Sequence, residues 1–70
     1  MEEFSNHEIE EFYKKVSKKV QKIRQEKSIS QLELSYMIGF KSTSLVSGAE
    51  AGYKNVKLLI YIGINYFFNN

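Results

Sequence analysis

Across residues 9–26 the apolar positions Phe12, Val16, Val20 and Ile23 recur every three or four residues, drawing one apolar stripe along a 3.6-residue helix. A first amphipathic helix is predicted there. Lys14, Lys15, Lys18, Lys19 and Lys22 fill its other side, either as an ordinary solvated face or as an edge turned toward phosphate. The periodicity lapses at Glu26-Lys27-Ser28-Ile29 and resumes behind Ser30. Ser30 followed three residues later by Glu33 is a capping-box signature, in which each side chain satisfies the other residue's unpaired backbone N–H. It predicts a second helix that starts at Ser30, carries Leu34, Ser35 and Ile38, and stops at Gly39, where a positive φ meets no Cβ penalty.

Phe40 is expected to pack back onto the core, with Lys41 and Ser42 completing a short turn. Ser42 then caps a third helix over residues 43–50, with Val46 and Ala49 facing inward and Leu45 at the margin. Ser44, Ser47 and Gly48 give this helix poor intrinsic propensity, so it needs the first two helices to dock on. Residues 51–55 read as a loop. Residues 56–68 are apolar at Leu58, Leu59, Ile60, Tyr61, Ile62, Ile64, Tyr66, Phe67 and Phe68. Their β-branched and aromatic content also suits a buried strand, but a lone strand among helices has no hydrogen-bonding partner unless it pairs across a dimer, so helix is preferred. Nearly every face of that helix is apolar. One side can fill the core, and the remainder predicts a homodimer interface built from Tyr61, Ile64, Tyr66, Phe67 and Phe68.

The pattern predicts an all-α fold, a compact four- or five-helix bundle. Seventy residues leave room for one domain, which buries only about 60% of its unfolded surface. With no cysteine, packing alone must hold it, which again favours a subunit partner. The net charge of +2 is small but segregated: residues 1–11 hold five Glu and no Lys or Arg, and residues 14–27 hold seven Lys or Arg and one Glu. Residues 1–8 are read as an acidic arm and residues 9–70 as the domain. The segregation either damps binding of an anion to the basic segment or simply opposes the helix macrodipole. No stretch approaches the roughly 20 apolar residues of a membrane span, and three Glu within residues 1–9 argue against a secretory signal, so a cytoplasmic protein is expected.

Catalytic chemistry finds little to work with. His7 stands alone among Glu3, Glu8 and Glu10, too few ligands for a metal site, and no nucleophile, base and acid can be assembled around it. There is no glycine-rich phosphate loop and no zinc-finger spacing, so neither a cofactor nor enzymatic activity is expected. Base stacking on Tyr61, Tyr66, Phe67 and Phe68 is less favoured than a core and dimer role, because their segment carries little charge.

A long basic helix ahead of two short helices joined by a glycine-containing turn is a helix-turn-helix arrangement. The chain resembles the phage-repressor (Cro/CI, XRE-like) helix-turn-helix family through Lys22-Ile23-Arg24-Gln25-Glu26-Lys27, Ser30-Gln31-Leu32-Glu33-Leu34-Ser35, Ile38-Gly39, Ser47-Gly48-Ala49-Glu50 and Gly52. The likeness spans residues 13–68. Its small size and the Ser47-Gly48-Ala49-Glu50 stretch look most like the controller proteins of restriction-modification systems.

The resemblance implies a lambda-repressor-like fold and a dimer on double-stranded operator DNA. It places Gln31 against a phosphate or base edge, Thr43, Ser44 and Ser47 on the major-groove face of the third helix, and a structural ion pair between Arg24 and Glu50. Repression would follow from occupancy alone, whereas activation needs a further contact to RNA polymerase. Two departures stand out. Counted from Gly39, Glu50 and Gly52 fall one residue later than in the family, which suggests an extra turn residue near Lys41 and Ser42. The third helix also lacks Arg, Lys, Asn and Gln, the strongest bidentate base readers. Affinity is then expected to lean on Lys19, Lys22, Lys41, Lys54 and Lys57 touching phosphate, with Ser42 beside them. The competing expectation is a non-catalytic protein-interaction or antitoxin-like module that uses the apolar C-terminal segment.

Overall fold

The computed structural model describes residues 3–52 and 55–68, the side chain of Val56 excepted. These residues form four α-helices, α1 (Asn6–Glu26), α2 (Gln31–Met37), α3 (Ser44–Ala51) and α4 (Val56–Ile62), and α4 runs directly into a π-helical turn, Gly63–Phe67. No strand occurs among the described residues, so the C-terminal segment is helical. No helix there is long and apolar enough to cross a membrane.

Helix α1 begins three residues before the periodicity suggests, and a second capping box is the reason. Ser5 Oγ accepts from the Glu8 backbone N–H at 3.1 Å, and Glu8 Oε1 accepts from the Ser5 N–H at 3.0 Å. At Ser30 and Glu33 the same reciprocal bonds, both 2.9 Å, start α2. In both boxes the serine's backbone and hydroxyl hydrogen bonds hold the glutamate below its ordinary pKa.

The ends of α1 and α2 share one construction. The Ser28 N–H donates to Gln25 O at 3.0 Å and the Ile29 N–H to Arg24 O at 3.1 Å, while after α2 the Gly39 N–H reaches Tyr36 O at 3.1 Å and the Phe40 N–H reaches Ser35 O at 2.8 Å. Each is a Schellman closure around a left-handed residue. Gly39 supplies it at φ +93°, whereas α1 places a serine, Ser28, at φ +58°.

Val20, Leu34, Val46, Ala49, Leu59 and Ile62 form the buried core, edged by Val16, Ile29, Ile38, Leu58 and Phe67. Every helix contributes, and α4 is the hub, packing on both α1 and α3. Gly63 is buried against α1, where an added Cβ would lie 2.9 Å from Val20 Cγ2 and 2.6 Å from Phe68 Cε2. The i to i+5 bond from the Phe68 N–H to Gly63 O, 2.6 Å, closes the π-helical turn, and Tyr66 Oη donates to Met37 O at the end of α2, 3.4 Å away.

Three expectations fail. Phe12 shares the stripe of Val16 and Val20 but is 58% exposed, because the described part of α1 ahead of Tyr13 is exposed at every residue. Phe40 is exposed, at the edge of a groove rather than in the core. Helix α3 starts at Ser44 and runs through Ala51, with Thr43 at its N-cap making no side-chain cap bond, so Ser42 is not the cap residue. Gly52, left-handed at φ +83°, ends it.

Candidate nucleic-acid interface

The site is organised around one buried charge pair. Arg24, on the last turn of α1, donates from Nε to Glu50 Oε2 at 2.7 Å and from Nη2 to Glu50 Oε1 at 3.1 Å, while its Nη1 donates to Ile29 O at 2.6 Å. Only 9% of the Arg24 side chain and 3% of the Glu50 side chain remain exposed. A guanidinium fork matched to a carboxylate fixes direction as well as distance, so α3 is pinned to the end of α1 and to the chain entering α2.

Gln31 completes the network from the first turn of α2. Its Nε2 donates to Glu50 Oε1 at 2.8 Å, which turns the amide inward toward a carboxylate and not outward as a free reader. The half-buried Gln31 thus adds a third hydrogen bond to Glu50 on α3. Ser35, fully buried one turn later, satisfies its hydroxyl on Gln31 O at 2.8 Å. The segment from α2 through residues 38–43 to α3 is therefore held at both ends by named hydrogen bonds.

With Val46 and Ala49 buried, the outer side of α3 carries Ser44 and Ser47, with Thr43 just ahead. Ser44 is exposed, and Thr43 and Ser47 are half-buried. Ser42 and Lys41 are exposed beside them, and Ser42 Oγ donates to Ser44 Oγ at 3.3 Å. This cluster of hydroxyls and one ammonium can donate to phosphate or to base edges. The absence of long side chains from the outer face of α3 leaves its backbone free to approach a partner closely.

The lysines divide into two sets. An open groove of about 900 Å³ runs between α1, α3 and the start of α4, lined by Tyr13, Lys14, Lys18, Leu45, Lys57 and Leu58 among others. Lys57 Nζ lies 5.9 Å from the centroid of the Tyr13 ring, a cation–π distance that bridges α4 and α1. Lys14 and Lys18 thus join Lys57 beside α3, a grouping that sequence spacing did not reveal because it depends on how α1 is rotated against α3. Lys19 and Lys22 are exposed on α1 outside this groove, and Lys54 lies outside the described residues.

The C-terminal residues expected at a subunit contact separate as well. Tyr61, Ile64, Tyr66 and Phe68 are exposed, with the Tyr61 and Tyr66 rings edge to face at 6.5 Å, whereas Phe67 is half-buried against the core. Compared with protein-family models, with curated proteins and with solved structures, the chain finds no match.

Proposed function

We propose that this protein binds double-stranded DNA sequence-specifically as a homodimer and regulates transcription, with α2 and α3 acting as a helix-turn-helix of the lambda-repressor kind. The observation that carries this reading is the Arg24–Glu50–Gln31 network, which holds a short, weakly helical α3 with its hydroxyl face outward. A helix with this composition does not hold its shape alone, so a rigid mount is what an inserted element requires. In this reading Thr43, Ser44 and Ser47 meet base edges, and Ser42 and Lys41 meet the backbone. Lys57 and its groove neighbours Lys14 and Lys18 add phosphate contacts, while Gln31 fixes α3. The exposed apolar groups at the C-terminal end join the subunits, doubling the contacts and making occupancy depend on protein concentration.

Fluorescence-anisotropy titrations on a generic labelled duplex at several salt concentrations test the contact surface. Lys41→Ala and Lys57→Ala should each weaken binding on every sequence and reduce the salt slope by about 2, as expected when each subunit of the dimer loses one phosphate contact. Binding that neither substitution alters would remove this face from the interface.

One observation favours a different reading. Tyr61, Ile64, Tyr66 and Phe68 are 40–58% exposed and α3 presents no cation, a combination suited to a protein-interaction module. In that reading Ile64→Glu would abolish partner binding, and duplex DNA at physiological salt would not be retained.

A further inference from the structure

Helix α1 extends well past the body of the protein. Its first two turns, Asn6 to Phe12, are exposed at every residue, and the molecule is 41 Å along its longest axis against 18 Å along its shortest. Two unsupported helical turns are marginal in water, yet this overhang carries Phe12 at 58% exposure, preceded by Phe4 at 76%. Residues spaced by three and four share a helix face, and from Phe12 onward Lys15, Lys19 and Lys22 continue one exposed stripe that begins with Glu8 and Glu11. From Glu8 to Lys22 the stripe therefore reads acidic, then aromatic, then basic, with the exposed Glu26 closing its far end.

The helix macrodipole does not account for that order. Its influence fades within the terminal turns, where the only matching charges are Glu8 and Arg24, and Arg24 is already committed to Glu50. Nor do the charges neutralise one another within the helix, since among the described residues Arg24–Glu50 is the one ion pair formed. Because Asn6–Glu26 is a single unbroken helix, Glu8 cannot fold back on Lys19 and Lys22, and of the stripe's lysines Glu11 has only Lys15 within one turn. A two-fold axis near the middle of the stripe would satisfy it: laid antiparallel, the acidic end of one copy meets the basic end of the other, twice, with the two Phe12 rings over the lysine stems between.

We propose that the exposed stripe of α1 pairs antiparallel with the same stripe of a second copy of this chain, through a charge-complementary contact separate from the C-terminal apolar patch. This pairing does not depend on DNA binding, and it occupies Lys15, Lys19 and Lys22 while leaving the groove lysines free.

Sedimentation equilibrium on the full chain carrying Ile64→Glu, which disables the C-terminal patch, isolates the contact. Self-association should persist there and weaken as salt rises. Glu8→Gln with Glu11→Lys keeps the capping box intact, because glutamine also serves at that position, and should weaken association at least about tenfold. Lys15→Glu with Lys19→Glu should do the same, and Phe12→Ala should weaken it at any salt concentration. All these side chains are exposed, and circular dichroism would confirm that each variant stays folded. A monomer throughout in the Ile64→Glu chain, or association that none of these substitutions changes, would overturn the proposal and leave the stripe to a different partner.

Discussion

Arg24 and Glu50 stand 26 positions apart in the chain and meet through two parallel hydrogen bonds, 2.7 and 3.1 Å long, in a nearly dry setting. Each charge is buried at a cost that the other chiefly offsets, with Ile29 O accepting from Arg24 and Gln31 donating to Glu50 beside it. Removing one partner should therefore hurt far more than replacing both. Arg24→Ala or Glu50→Ala is expected to cost about 3 kcal/mol, a large share of the roughly 4–10 kcal/mol that holds a domain of this size. Arg24→Met combined with Glu50→Leu should remain within about 1–2 kcal/mol of the parent, measured by urea unfolding. Equal losses in the single and double variants would show that the pair does not hold α3 in place.

Ser28 offers a test in the opposite direction. It sits left-handed at φ +58° in the closure of α1, where the matching residue after α2 is Gly39. A residue with a Cβ is strained there by about 1–2 kcal/mol, and glycine relieves the strain while adding some unfolded-state entropy. Ser28→Gly should stabilise the fold by about 0.5–1 kcal/mol, read as a higher urea midpoint with an unchanged slope. Gly39→Ala, which meets no atom within 4 Å, should destabilise through backbone strain alone.

The two capping boxes predict a pH dependence. Glu8 and Glu33 are both held below their ordinary pKa by bonds from Ser5 and Ser30, so each stabilises the folded state above the ordinary glutamate value of about 4.3. That contribution is lost as pH falls through the depressed folded values. Far-UV circular dichroism should show helicity declining on acidification below that value, with Ser5→Ala and Ser30→Ala flattening the decline. Helicity that ignores both serines in acid would contradict the assignment.

What the sequence disclosed follows from the range of each interaction. The Ser30–Glu33 box was legible because it is local. The Ser5–Glu8 box carries the same spacing, but it lies in an acidic stretch ahead of the apolar periodicity, where no apolar stripe marks a helix start. Periodicity placed Phe12 on the correct stripe without showing that no neighbour covers it, since periodicity defines a face and not what lies opposite. Nothing local to Gln31 shows that Glu50, on another helix, accepts from its amide and turns it inward. The left-handed Ser28 gave no glycine to signal it, and the π-helical turn after Ile62 depends on packing around Gly63 and Phe68 that spacing does not encode.

Whether a dimer reads sequence through α3 is decided by incubating the protein with a pool of randomised duplexes at low and at physiological salt and sequencing what is retained. A dimer reading through α3 should enrich a palindrome whose half-sites lie about one helical turn apart, roughly 34 Å, with enrichment reduced by Ser44→Ala combined with Ser47→Ala. A retained pool with no shared sequence, bound at low salt and released as salt rises, would contradict it.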